Sequence, residues 1–154
     1  MAYLDNSATT KPCEQVVASI NNTLSSEMSF GNPGSLHKLG VLADSKYKDC
    51  FSRTAKELGC SPDELYFTSC GTEGANTAIE GYMARNKRAG KTIISTRTEH
   101  KCTLETLDKL SSEGFVIKYV SVKKDGKPDL EELESLIDED TALLCFTHVN
   151  NETG

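Results

Sequence analysis

Apolar and polar positions along the chain keep two periods in turn, and the changes of period set the expected elements. Val16, Ile20 and Leu24 recur at fourfold spacing behind Pro12, a residue suited to a first helical position. Phe30–Ser35 reads FGNPGS, with two glycines and a proline, and predicts a loop. Beyond it Leu36, Leu39, Ala43, Tyr47, Cys50, Ala55 and Leu58 keep to one face of a long amphipathic helix, and Gly59 is suited to end it. From there short apolar runs and helical runs take turns. ELYFTS at 64–69 predicts a strand, 72–89 a helix closed by Gly90, and KTIISTR at 91–97 a second strand. A helix over 102–113 stops at Gly114, and FVIKYVSV at 115–122 is a strand followed by the turn KKDGKPD. Asp129 with Glu132 makes a capping box for a helix carrying Leu130, Leu133 and Ile137, and TALLCFTHV at 141–149 is the last strand.

Short apolar strands separated by helices are βαβ units. The predicted fold class is therefore α/β, a three-layer αβα arrangement around a mainly parallel sheet. At 154 residues the chain suits one medium domain, able to bury about 70% of its unfolded surface. It stops at HVNNETG, directly after a strand and without a closing helix. The expectation is a single incomplete domain, the N-terminal part of a longer protein.

Charge narrows the partners. With 17 Lys and Arg against 23 Asp and Glu, the net charge is −6, which argues against nucleic acid or an anionic membrane surface. No apolar run approaches the roughly 18 residues of a membrane span. The opening MAYLDNSATTKP has an acidic residue by position 5 and no long apolar core, so it predicts neither a secretory nor a transit signal. The cytoplasm is the expected location. Cys13, Cys50, Cys60, Cys70, Cys102 and Cys145 show no C-x-x-C spacing and no zinc-like array with histidine, so reduced thiols and no metal are expected.

In an open parallel sheet, ligands sit beyond the carboxyl ends of the strands. Three strand ends here carry useful groups: Gly71 and Thr72 after the first strand, Glu99 and His100 after the second, and Asn150, Asn151 and Glu152 after the last. Gly71 lets an anion approach the unpaired N–H groups of a helix start, and Thr72 adds a hydroxyl donor. Thr72 is also a plain N-cap residue, and the sequence alone leaves both readings open. His100 can stack on a ligand or exchange protons with it, or be an exposed loop histidine. A nucleophilic pair of His100 with Cys102 lacks an orienting third group. Asn151 can hydrogen-bond a ligand or simply belong to an Asn-rich turn. Neither a P-loop nor a G-x-G-x-x-G motif is present.

YLDNSATTKP, FGNPGSLHKLG, YFTSCGTEGAN, TRTEHK and HVNNETG stand in the order and spacing of the cysteine desulfurases of the NifS/IscS type. The chain resembles that family over essentially its whole length. The resemblance implies the fold type I of pyridoxal-phosphate (PLP) transferases. Residues 1–35 would then form an N-terminal segment with the first helix and an active-site rim loop, and 36–154 the long helix and first part of the PLP-binding large domain. It implies sulfur removal from L-cysteine to leave alanine, with the sulfur held as an enzyme persulfide for iron–sulfur clusters or thiolated tRNA. A homodimer and sulfur-acceptor or scaffold proteins come with it. On this resemblance Gly71 and Thr72 match the turn that binds the PLP phosphate. His100 matches the histidine that stacks on the ring and helps in proton transfers, and Asn151 matches the asparagine bonded to the pyridine 3-oxygen. Asn32 matches a position on the substrate rim, and LDNSATT a segment near the entrance.

Cys70 departs from the family, which usually has glycine there. The Schiff-base lysine of a later Ser-x-His-Lys motif, the aspartate at the pyridine nitrogen, the substrate-carboxylate arginine and the persulfide cysteine all lie further along in the family. Lys101, in TEHK, is a solvated lysine at a helix start. The 154 residues alone are therefore expected to be inactive, with apolar faces that favour self-association. Other readings of the residues are a non-catalytic module for a phosphate ligand or partner, and another PLP enzyme of the same fold, such as a selenocysteine lyase or an aminotransferase.

Overall fold

The computed structural model describes residues 2–152. They form two compact units, the first ending at Phe67 and the second starting at Thr68.

In the first unit, α1 (Glu14–Leu24) begins two residues after Pro12, with Cys13 as its cap. None of its residues is buried, and Val16, Val17, Ile20 and Leu24 lie exposed. The last turn of α1 and the loop after it are tied to α2 (Lys38–Leu58), whose Lys46 Nζ donates to Thr23 Oγ1 at 3.2 Å and to Ser29 Oγ at 3.1 Å. The His37 ring caps α2, its Nδ1 accepting from the Gly40 N–H at 3.3 Å. Gly59, at φ 71°, ends α2 in the left-handed conformation that glycine reaches without steric cost. Gly40 is demanded by packing: a Cβ there would meet the Ser35 carbonyl oxygen at 2.2 Å and that of Asn32 at 2.8 Å. Tyr47, Phe51 and Phe67 stack in sequence, with centroids 4.6 and 4.8 Å apart.

The second unit holds α3 (Gly71–Arg85), β1 (Thr92–Thr96), α4 (Lys101–Ser112), β2 (Val116–Val120), α5 (Leu130–Leu136) and β3 (Thr141–Leu144). The strands pair in the order β2-β1-β3, all parallel. The connection β1-α4-β2 steps one way along the sheet and β2-α5-β3 steps back across β1. Right-handed crossovers then put α4 and α5 on opposite faces. Central β1 is accordingly buried at all five positions. Ile93 packs with Ile79 and Met83 of α3 and with Leu107 and Leu110 of α4. Each such side chain contributes about 1.5–3 kcal/mol by leaving water.

Three boundaries differ from the sequence expectation. Leu65 keeps an extended backbone (φ −98°, ψ 129°), but 65–68 pairs with no strand among the described residues, and Tyr66 is 82% exposed. A strand is defined by its ladder, and the apolar run alone supplies none. Helix α3 stops at Arg85, four residues early, because Asn86 caps it: its N–H and its Nδ2 both donate to the Tyr82 carbonyl at 2.9 Å. Gly90, at φ 124°, serves a close approach instead; a Cβ there would meet the Asp140 carbonyl oxygen at 2.1 Å. That carbonyl accepts from the N–H groups of Lys91 and Thr92, joining the starts of β1 and β3. β3 ends at Leu144, and the Cys145 N–H adds one more bond to the Ile94 carbonyl at 2.9 Å. Only half the capping box forms at α5: Asp129 accepts from Glu131 and Glu132, while the Glu132 carboxylate reaches Ser121 N–H at 2.9 Å.

Candidate functional site

Two helix starts frame the candidate site. Helices α3 and α4 touch through Thr106, whose hydroxyl donates to Asn76 Oδ1 at 2.7 Å, and through the Lys109–Glu80 ion pair. Both contacts rise along the two helices in the same direction. The helices therefore run parallel, and Gly71 and His100 open them at the same end.

At the α4 start the chain leaves β1 through Thr96 and turns inward at Glu99, which is 8% exposed. A buried carboxylate needs donors, and Glu99 has three. Its Oε1 accepts from the Thr96 hydroxyl at 2.9 Å and the Thr147 N–H at 3.0 Å, and its Oε2 accepts from the Thr147 hydroxyl. The β1–α4 corner is thus sewn to the segment that follows β3. Asn150 adds a stitch, its Nδ2 donating to the Thr98 carbonyl at 2.8 Å while its Oδ1 takes the Glu152 N–H at 2.8 Å.

These bonds set His100 and Asn151 on one cleft of about 460 Å³, which Arg97, Lys101, Leu104 and Glu152 also line. Its size falls within the range of small-molecule sites. Arg97 is held over the Tyr119 ring, 4.2 Å from its centroid. His100 is the N-cap of α4, and its Nδ1 accepts from the Cys102 N–H at 3.2 Å and lies 2.9 Å from Cys102 Sγ. Nearby Cys145 is pushed up to about 11 by burial first, then by the Glu99 charge and by Cys102. A hollow of about 490 Å³ between the C-terminal halves of α3 and α4 is walled by Met83, Ala84, Leu110 and Phe115 and holds none of the strand-end groups.

At the α3 start Cys70 is the N-cap, and Gly71 and Thr72 are the first two helical residues. The first-turn N–H groups lack carbonyl partners by geometry. A Cβ added to Gly71 would meet nothing within 4 Å, so the space beside Gly71 is open. The exposed Cys70 thiol is held below the usual thiol range, first by the Glu73 N–H, then by the Ser69 hydroxyl, with the Thr72 N–H contributing. Groups that favour a sulfur anion there suit a phosphate oxygen equally. Glu73 itself is held below the usual carboxylate range by the Ser69 hydroxyl and N–H, which both reach its Oε2 at 2.6 Å. These donors fit an anionic cofactor group, and the cleft at His100 and Asn151 fits an aromatic ring with a polar edge.

Asn32 lies in the first unit. Its Oδ1 accepts from Gly34 N–H at 2.9 Å and its carbonyl from Ser35 N–H at 3.0 Å, so it shapes the loop ahead of α2. The strand-end pattern points to Glu99 beside His100, but not to its part in tying the β1–α4 corner to Thr147. The available signal was a lone carboxylate among threonines at a buried strand end.

The aminotransferase class-V family model matches residues 2–154. The chain belongs to the class-V aminotransferase family. A cysteine desulfurase IscS of Histophilus somni (strain 2336) is 41% identical over 153 residues, covering 99% of this chain and 38% of that protein. A solved NifS-like protein superimposes with TM-score 0.91 at 41% identity, over 99% of this chain and 41% of that one. SspA in complex with cysteine gives TM-score 0.87 at 32% identity, over 99% and 43%. The chain thus spans about two fifths of the length of the relatives it matches. The class-V desulfurases are PLP-dependent. Among the described residues no helix is long and apolar enough to cross a membrane.

Proposed function

We propose that the protein carrying this chain is a PLP-dependent cysteine desulfurase. It converts L-cysteine into L-alanine and leaves the sulfur as a persulfide on an enzyme cysteine, for iron–sulfur cluster assembly or tRNA thiolation. One observation carries the reading: His100 and Asn151 share a cleft at the same end of two parallel helices as the first-turn N–H groups of Gly71 and Thr72. The relative solved with cysteine supports the choice of substrate.

PLP, when bound, supplies an electron sink for bond cleavage next to the amino group. This chain's residues hold and orient it. The Gly71 and Thr72 N–H groups and the Thr72 hydroxyl would bind the phosphate at the positive end of α3. The Asn151 side-chain amide would donate to the ring oxygen. The His100 imidazole, lining the cleft, would stack on the cofactor and move a proton at the substrate through Nε2, the nitrogen that Cys102 leaves free. Asn32 is assigned to the substrate rim on its motif alone. Residues 36–154 form the first part of the large domain, behind an N-terminal segment 1–35. The Schiff-base lysine and persulfide cysteine belong to the remainder of the protein, so the 154 residues alone are inactive. The enzyme works in the cytoplasm as a homodimer that hands sulfur to an acceptor or scaffold protein.

The test is to incubate the intact protein with PLP, a thiol reductant and L-cysteine, and to measure alanine and sulfide. Equal yields of the two are expected. Turnover of L-selenocysteine alone, or of neither substrate, would overturn the reading.

A further inference from the structure

We propose that Cys102 is a positioning residue for His100: its thiol and its own backbone N–H together keep Nδ1 an acceptor, so the ring proton sits on Nε2. Two contacts meet at one ring nitrogen. The Cys102 amide is 3.2 Å from His100 Nδ1, and Cys102 Sγ is 2.9 Å from the same atom. An amide N–H can only donate, so Nδ1 presents its lone pair. A thiolate at that distance would set two acceptors against each other with no proton between them. The thiol therefore donates its S–H to the ring, and the single remaining ring proton lies on Nε2.

The frame around the pair is fixed. His100 is the N-cap, and its carbonyl accepts from Thr103 N–H at 2.9 Å and Leu104 N–H at 3.2 Å. The Cys102 carbonyl is held by the Thr106 hydroxyl at 2.9 Å. With both backbones pinned, ring rotation is the freedom that remains, and the thiol restricts it. Cys102 does not line the cleft that His100 and Asn151 share; it acts through His100, whose Nε2 keeps the proton. The consequence for turnover rests on the desulfurase reading. The state of the ring does not.

The experiment is solid-state 15N NMR of the intact protein labelled at histidine, with the His100 signals assigned by His100→Gln. Wild type should show an unprotonated Nδ1 and a protonated Nε2. Cys102→Ala should add a protonated Nδ1 population, and Cys102→Ser, which keeps a donor, should remove it. The infrared S–H band of Cys102 should sit below that of a free thiol and rise in His100→Gln. In the desulfurase assay kcat of Cys102→Ala should fall by roughly tenfold at most, with KM for cysteine little changed and kcat recovered by serine. A protonated Nδ1 in wild type would overturn the proposal, as would identical ring signals in wild type and Cys102→Ala. The ring signature without cysteine turnover would support the positioning and overturn the desulfurase reading.

Discussion

The two helix starts that open at one end of the second unit are built in opposite ways. At His100 the corner is closed by side chains from distant parts of the chain: a buried Glu99 accepts from Thr96 and Thr147, and Asn150 bonds back to Thr98. At Gly71 the corner is open. Its bonds are local, Glu73 holding Ser69, and a Cβ on Gly71 would meet nothing within 4 Å. The first corner is preorganised to aim a ring and an amide. The second is a set of donors whose natural counterpart is an anion. Aim and grip are thus separated, and changes at the two corners should fail differently.

The largest failure belongs to the aiming corner. In the intact protein His100→Ala should lower alanine formation from cysteine by about 10²–10⁴-fold, the usual worth of a positioned acid–base group. PLP content, read from its visible absorbance, should stay at the wild-type level. Loss of the cofactor together with the activity would erase the distinction between the corners. Glu99→Ala comes next, measured as stability. It strips acceptors from Thr96 and from Thr147 at a buried position, which costs about 3 kcal/mol in urea unfolding. The rate of Cys70 alkylation should not change, because that thiol depends on Ser69, Thr72 and Glu73 alone. At the gripping corner Thr72→Val removes one hydroxyl donor, about 1 kcal/mol, and should weaken PLP binding about fivefold without touching the chemistry. Unchanged PLP affinity would make Thr72 an ordinary first-turn residue of α3 and nothing more.

The same contrast explains what the sequence made legible. The βαβ rhythm, the helix starts and the strand-end residues are local patterns. β1, β2, α4 and α5 fall where periodicity put them, and His100 and Asn151 were visible as polar residues ending apolar runs. What escaped is long-range. Thr147 meets Glu99 across 48 residues and Asn150 meets Thr98 across 52, and no local spacing encodes either. Leu65–Thr68 has strand composition, yet pairing depends on a neighbour, and none of β1, β2 or β3 is one. Gly90 looked like a helix terminator because glycines often are. Its reason is the Asp140 carbonyl, reachable only through the sheet.

The smallest effects concern two thiols, one at each corner. Cys70 is exposed and held below the usual range by first-turn N–H groups, so it ionises at a lower pH than a free cysteine and should alkylate first as pH rises. PLP or inorganic phosphate at the α3 start should slow that reaction by competing for the same donors. Cys145 lies against the core and is pushed up to about 11, by burial before the Glu99 charge, so it should resist alkylation until the solution is strongly alkaline. Between its ordinary value of 9.0 and about 11 the unfolded thiol loses its proton while the folded one keeps it. The folded state then binds more protons, so stability should fall as pH rises through that window. In Cys145→Ala this part of the decline should vanish, and in Cys70→Ala it should remain. Mapping the alkylated cysteines by mass spectrometry across the pH series decides the order, and Cys145 reacting before Cys70 would mean that the corner taken here as closed is the open one.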